Sequence, residues 1–263
     1  MKINQRTIRK MVEDGDRLDG RKLDEFRDIE VETDYINETA EGSAKVRIGD
    51  TQVIVGLKVG AEEPFPDRPN EGTIVTNAEL APMASREYES GPPQEPGVEL
   101  ARVVDRGIRE SEAVDLEELC IEPGEKVLTL FLDVHVLNDD GNLIDASSLG
   151  AMAALKTGYI PVYDEETGTL QRGEKDRDIP LEENPVTVTA SKIKGKTVWD
   201  LTSEEEDARD ARLTVSLNEH GNVVAMQKGE TEPLTHEEVM EIVESAEDKT
   251  RELRKILQQA VGE

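Results

Sequence analysis

AKVRIGDTQVIVGLKVG (residues 44–60) reads as two strand-forming runs that meet at the turn signal Gly49-Asp50, an antiparallel hairpin. Three further stretches read the same way. VLTLFLDVHVLNDDGNLIDAS (127–147) turns about Asp139-Asp140-Gly141, VTVTASKIKGKTVWDL (186–201) about Lys194-Gly195, and RLTVSLNEHGNVVAMQKG (212–229) about His220-Gly221. Helical patterns lie between and after them. Residues 97–111 carry Leu100, Val103, Val104 and Ile108 on one face, and 146–157 are small residues with Leu149, Met152, Ala153 and Leu155 apolar. The stretch 235–261 opens on a capping box, Thr235-x-x-Glu238, ahead of a long amphipathic run. At the N-terminus, residues 3–13 read as a short helix, and the polar RLDGRKLDEFRDIEV (17–31) leads into a strand.

Strands followed by a helix, twice over, with hairpin connections, predict an α+β fold of antiparallel-rich sheets with packed helices rather than a doubly wound parallel sheet. The chain reads as a single domain over 1–263, with an N-terminal part (1–163), a polar connecting segment (164–184) and a C-terminal part (185–263). Residues 62–96, rich in proline and glycine, are expected to form a long functional loop or lobe.

Composition bounds the function. Of 263 residues, 36 % are apolar and only 3 % aromatic, so the core rests on Val, Ile, Leu and Ala. The formal net charge is −28, with 59 Asp and Glu against 31 Lys and Arg, spread along the chain rather than gathered in a tail. Disorder is argued against by the strand patterns, and avoidance of nucleic acid is a second reading. Adaptation to a very salty cytoplasm is favoured, because molar salt shortens the screening length to about 3 Å and a carboxylate-rich surface stays soluble. The lone Cys120 has no partner within the chain, and His135, His220 and His236 read as structural rather than metal-binding. With no signal peptide and no membrane-length apolar run, the chain is expected to be soluble and cytoplasmic.

Three features could carry chemistry. Arg102, Arg106 and Arg109 fall at i, i+4 and i+7 on the 97–111 helix, a stripe unexpected in so acidic a chain and suited to phosphate. A solvated face satisfied by Glu99, Asp105 and Glu110 is the plainer reading of the spacing alone. Ala146-Ser147-Ser148 reads as a helix start, hence an N-cap or an anion site. The cluster Asp200, Glu204, Glu205, Glu206, Asp207 and Asp210 reads as a solvated acidic face in preference to a hard-cation site.

Five stretches in register carry a resemblance: RLDGR with EFR (17–27), P-x-P-D-x-P-x-x-G (64–72), ELARVVDRGIRES (99–111), NLIDASSLGAMAAL (142–155) and VWDLTSEEEDARDARLTV (198–215). Together they resemble the RNase PH-type ring subunits of exosomes, which implies the RNase PH-like fold, of the ribosomal protein S5 domain 2 type. Catalytic members carry an Ala-Asp pair after the acidic run. Here Ala211 fills the first place and Arg212 stands where the catalytic aspartate should be. A guanidinium neither takes a proton nor binds Mg²⁺. The stretch Asp145-Ala146-Ser147-Ser148 also lacks the glycine that catalytic members carry in the phosphate loop after the aspartate, and the extension before RLDGR looks like the non-catalytic archaeal subunit.

The resemblance therefore implies no catalytic residue and no cofactor on this chain. It places inorganic phosphate, with Mg²⁺ as a further candidate, in a partner's active site. The implied partners are a catalytic RNase PH-type subunit in a trimer-of-heterodimers ring, RNA-binding cap proteins and RNA itself, with no membrane. The implied role is to position RNA for 3′→5′ phosphorolysis and complete the partner's site, with Arg102, Arg106 and Arg109 on the RNA path. A self-sufficient phosphorolytic exoribonuclease and a purely structural scaffold are the alternatives.

Overall fold

The structure, a computed structural model, describes residues 4–263. Helix α1 (Gln5–Asp14) is capped by the Asn4 side chain and buries Ile8 and Val12, while Ile3, the first apolar position of the expected helix, lies outside the described residues. The chain continues through β1 (Ile29–Thr33), β2 (Gly42–Ile48), β3 (Thr51–Glu62), β4 (Thr73–Leu80), α2 (Glu95–Arg109), β5 (Cys120–Glu122), β6 (Lys126–Asn138) and α3 (Leu143–Thr157). It then forms β7 (Tyr159–Asp164), β8 (Thr169–Asp178), β9 (Val186–Ile193), β10 (Lys196–Trp199), the single turn α4 (Ser203–Glu206), β11 (Ala211–Leu217), β12 (Val223–Gly229) and α5 (His236–Val261).

Two main sheets result. The first runs β1-β2-β3-β6-β4 with β5 alongside β6, and the second runs β10-β9-β11-β12. Hairpins form at Gly49-Asp50, Lys194-Gly195 and His220-Gly221, as their turn residues predict. The fourth expected hairpin does not form. β6 is one continuous strand, and the residues after Asp139-Asp140-Gly141 wind into α3. Both edges of β6 are already occupied, one by β3 and the other by β5 and β4, so no edge remains for a returning strand.

The expected loop 62–96 contains β4, which pairs parallel to β6 from Thr73↔Thr129 to Leu80↔Val136. Its polar, half-exposed sequence TIVTNAEL hid it between prolines. The fold is therefore α+β with one parallel pair in an otherwise antiparallel set of sheets. The polar stretch 164–184 holds β8, which pairs with β7 as a two-stranded ribbon.

α3 lies at the centre, buried from Ile144 to Leu155. A helix apolar and small on every side belongs inside a protein rather than on its surface. Gly150 allows the close approach, since a Cβ there would sit 2.8 Å from Val55 Cγ2. Its first turn reaches the second sheet, whose strands divide their faces by alternation. Val186, Val188, Leu213, Val215 and Leu217 pack against Ile242, Ala246 and Leu253 of α5. The alternate residues Thr187, Thr189, Thr214 and Ser216 are buried on the opposite face and hydrogen-bond among themselves and to Asp145 of α3. A buried hydroxyl layer thus separates the second sheet from the helices of the first.

Candidate nucleic-acid interface

α2 starts after the extended Gln94, with Pro96 in its first turn where a missing N–H costs nothing, and ends with Arg106 and Arg109 in its last turn, where positive charge complements the helix dipole. It begins two residues earlier than the expected 97–111 helix and stops at Arg109. Leu100, Val103, Val104 and Ile108 are buried as their spacing predicts. Arg102, Arg106 and Arg109 are all exposed.

Their surroundings differ. Arg109 donates to Asp105 Oδ1 at 2.9 Å and to the Ile74 carbonyl at 3.3 Å, so its charge is committed within the fold. Arg106 Nη1 donates to the neutral Gln227 Oε1 of β12 at 2.8 Å, which leaves its charge uncompensated. Arg102 has no hydrogen bond or ion pair among the described residues.

Arg212 is the second residue of β11 and is 8 % exposed. Its guanidinium pairs through Nη2 with Glu99 Oε1 of α2, while its buried Nε has no hydrogen-bond partner among the described residues. The side chain lines a cleft of about 320 Å³ together with Glu99, Tyr88, Asn142, Thr189, Glu206 and Arg209. Both arginines of the cleft are engaged by carboxylates, which outnumber them. Arg209 pairs with Glu206 at 3.3 Å and with Glu230 at 2.8 Å, and Tyr88 donates its hydroxyl to Asp139. Burial and then that Asp139 bond push the Tyr88 hydroxyl above its ordinary range, so it stays protonated. With Arg212 and Arg209 engaged by carboxylates, a phosphate entering the cleft would have to displace an existing ion pair.

The expected anion site at Ser147 and Ser148 is not at the helix start. α3 begins at Leu143 with Asn142 as its cap, so both serines fall in the second turn with their hydroxyls buried and unpaired among the described residues. The helix begins at Leu143, where a returning strand was expected, which moves both serines away from its start.

The acidic cluster is a solvated face only in part, with Asp207 exposed and Glu204, Glu206 and Asp210 half-buried. Asp200 and Glu205 are buried and serve as counter-ions to the arginines of the RLDGR and EFR stretch. Glu205 takes Arg17 Nε at 3.0 Å, and Asp200 takes Arg27 through both oxygens at 2.7 and 2.9 Å and Arg21 at 2.8 Å. Asn142 Nδ2 adds a bond to Asp200 at 2.8 Å, which joins this network to the start of α3. Burial raises the Asp200 carboxyl, but the hydrogen bonds and charge of Arg27 outweigh it and hold the group below the usual carboxylate range. Glu206 accepts the Asn142 N–H at 3.0 Å, and Asp210 pairs with Arg9 at 2.6 Å. Sequence spacing missed these partnerships because each joins residues at least 58 positions apart in the chain.

Glu183, Glu219 and His220 bring three potential ligand atoms within 4.8 Å of one another. They sit at the end of the β9–β11 pair opposite Arg212, and two of the three are exposed.

Residues 25–161 match the first-domain model of the 3′ exoribonuclease family, called RNase PH, and residues 183–249 match its second-domain model. The chain belongs to the 3′ exoribonuclease family. Within that family it is similar to exosome complex component Rrp42 of Thermococcus gammatolerans, 50 % identical over 97 % of this chain and 94 % of that protein. The same component of Methanocella arvoryzae is 50 % identical over 97 % of this chain and 96 % of its own length. Among solved structures, a chain of the Archaeoglobus fulgidus exosome with RNA bound to the active site superposes with a TM-score of 0.89, at 45 % identity over 95 % and 96 % of the two chains. A chain of an archaeal exosome core gives 0.85 at 42 % identity over 97 % and 96 %. The RNase PH-like α+β fold expected from the sequence is the fold of this family member.

Proposed function

We propose that this chain is the non-catalytic, Rrp42-type subunit of an archaeal exosome ring, positioning RNA for 3′→5′ phosphorolysis carried out at a partner's active site. One observation carries the reading. At the position where catalytic family members place an aspartate, this chain has Arg212, whose guanidinium is spent on Glu99. A group that is permanently cationic and already paired can act neither as a general acid nor as a divalent-metal ligand. The near-full-length similarity to proteins named Rrp42 supports the same reading.

The RNA contacts are assigned to Arg102 and Arg106, whose charges are uncompensated within the chain, with Arg109 as an outer member of the stripe held by Asp105. Arginine suits this task because its planar fork binds phosphate oxygens in pairs, and such contacts position a strand without reading its bases. The ring is a trimer of heterodimers with a catalytic RNase PH-type sister subunit, joined by RNA-binding cap proteins. Inorganic phosphate and any Mg²⁺ belong to the sister's site. The excess of acid over base, 59 side chains to 31, supports an origin in a salty cytoplasm.

The test is an assay of phosphate-dependent RNA degradation by the isolated chain and by the assembled ring. The ring should release nucleoside diphosphates, and the rigorously partner-free chain should not. Diphosphates from the chain alone would overturn the non-catalytic reading. In the ring, Arg102→Ala with Arg106→Ala should weaken RNA binding similarly across RNA sequences, each lost charge-assisted contact being worth about 1.5–3 kcal/mol.

A further inference from the structure

Helix α2 is tied to the second sheet at two points, two helical turns apart. Glu99 accepts from Arg212 of β11, and Arg106 donates to Gln227 of β12 at 2.8 Å. Residues 99, 102 and 106 lie on one stripe of a helix, so Arg102 stands between the two ties. Among the described residues no hydrogen bond or ion pair holds it. Beneath it, α2 packs tightly, since a Cβ on Gly107 would meet Ser216 Oγ at 3.1 Å and Thr187 Oγ1 at 3.2 Å.

We infer that Arg212 is a positioning residue: through Glu99 it fixes the roll of α2 and so aims Arg102 at the RNA. This rests on the reading of Arg102 as an RNA contact. The geometry is built for the reach. Arg212 sits opposite Gly229 in the β11–β12 register, and a Cβ at position 229 would lie 2.7 Å from both Nε and Nη2 of Arg212. The missing side chain at 229 is what lets the guanidinium lie flat across β12 towards α2. Its Nε is left buried without a hydrogen-bond partner among the described residues, so the group forgoes a hydrogen bond to make this one tie. Two ties about 10 Å apart along one face resist rotation of the helix about its own axis. A roll of about 20° would carry a side-chain tip about 2 Å sideways at the outer radius of a helix, enough to break a bidentate phosphate contact.

The inference separates from simple charge by sign. Glu99 is an acidic group next to an RNA-binding arginine, so removing it should tighten RNA binding if only the local field matters. If Glu99 transmits the hold of Arg212, Glu99→Ala should weaken binding instead. Equilibrium RNA binding is measured on the assembled ring for Glu99→Ala, Arg212→Met and Gly229→Ala, each with and without Arg102→Ala. Each of the three should weaken binding about fivefold with Arg102 present and change it little once Arg102 is gone, as coupled side chains do. The exchanged pair Glu99→Arg with Arg212→Glu should recover most of the loss. Unchanged or tighter binding by Glu99→Ala would overturn the inference. So would equal losses with and without Arg102, which would make Arg212 an independent contributor. If Arg102→Ala itself leaves RNA binding intact, the assignment of Arg102 to RNA fails, and the positioning role falls with it.

Discussion

Asp145 accepts both hydrogen-bonding groups of Thr189, the main-chain N–H at 3.1 Å and the hydroxyl at 2.7 Å, and its carboxyl is wholly inaccessible to solvent. The pair joins the first turn of α3 to the middle of β9, through the hydroxyl layer between the two halves of the molecule. Burial pushes the Asp145 carboxyl up to about 7, against the opposing effect of the Thr189 hydrogen bonds. Because this value lies above that of the unfolded chain, the folded state holds a proton that the unfolded state has released. The group's contribution to stability is complete below about pH 4 and is lost as pH rises towards 7. Asp145→Asn removes this titration. Denaturant unfolding of both proteins at a mildly acidic and a mildly alkaline pH should show the wild type losing ground to the variant as pH rises, by up to about 1.4 kcal/mol per pH unit. A difference independent of pH would count against the assignment. Asp200, held low by Arg27, gives the opposite slope, with stability lost as pH falls through its folded value.

The Arg17–Glu205 pair is closed to solvent on both sides, and Arg17 also donates to the carbonyls of Trp199 and Asp200. Removing one partner strands the other charge in the interior. Arg17→Ala should destabilise the chain by about 3–5 kcal/mol, and replacing both residues by apolar ones of similar volume should cost much less. Equilibrium unfolding of the single and double variants distinguishes a costly orphaned charge from a simple loss of contacts.

Arg212→Asp restores the residue type of the catalytic members, yet no turnover is expected from the isolated variant. Catalysis needs several groups held together, and one carboxylate does not rebuild a phosphate cradle. The variant also sets two carboxylates, at 99 and 212, where an ion pair stood. A lowered melting temperature with no diphosphate release is the expected outcome, and measurable phosphorolysis would show that the cleft retains the rest of the machinery.

With 59 acidic against 31 basic side chains, the folded chain repels itself in dilute buffer. Raising salt shortens the screening length from about 10 Å at 0.1 M to about 3 Å at 1 M, so melting temperature and ring assembly should rise with KCl. RNA binding should weaken over the same range through counterion release. Activity of the assembled ring should therefore pass through an optimum at high salt. A KCl titration of melting temperature and activity on one preparation checks this, and a protein most stable at low salt would refute salt adaptation.

Periodicity and turn residues alone determined much of this molecule. Three hairpins, the burial of one face of α2 and the Thr235 cap of α5 follow from local preferences that the fold does not override. The arginine stripe was equally legible, since side-chain spacing on a helix is a property of the chain itself. Three things were decided only by the tertiary structure. Residues 143–147 became helix because both edges of β6 were occupied, and TIVTNAEL became a strand because β6 offered it a parallel edge. Asp200 and Glu205 became interior counter-ions because Arg17, Arg21 and Arg27 arrive there from the other end of the chain. The physical reason is the same in each case: a side chain's charge and periodicity are local, but its counter-ion and its free sheet edge belong to distant residues that only folding brings near.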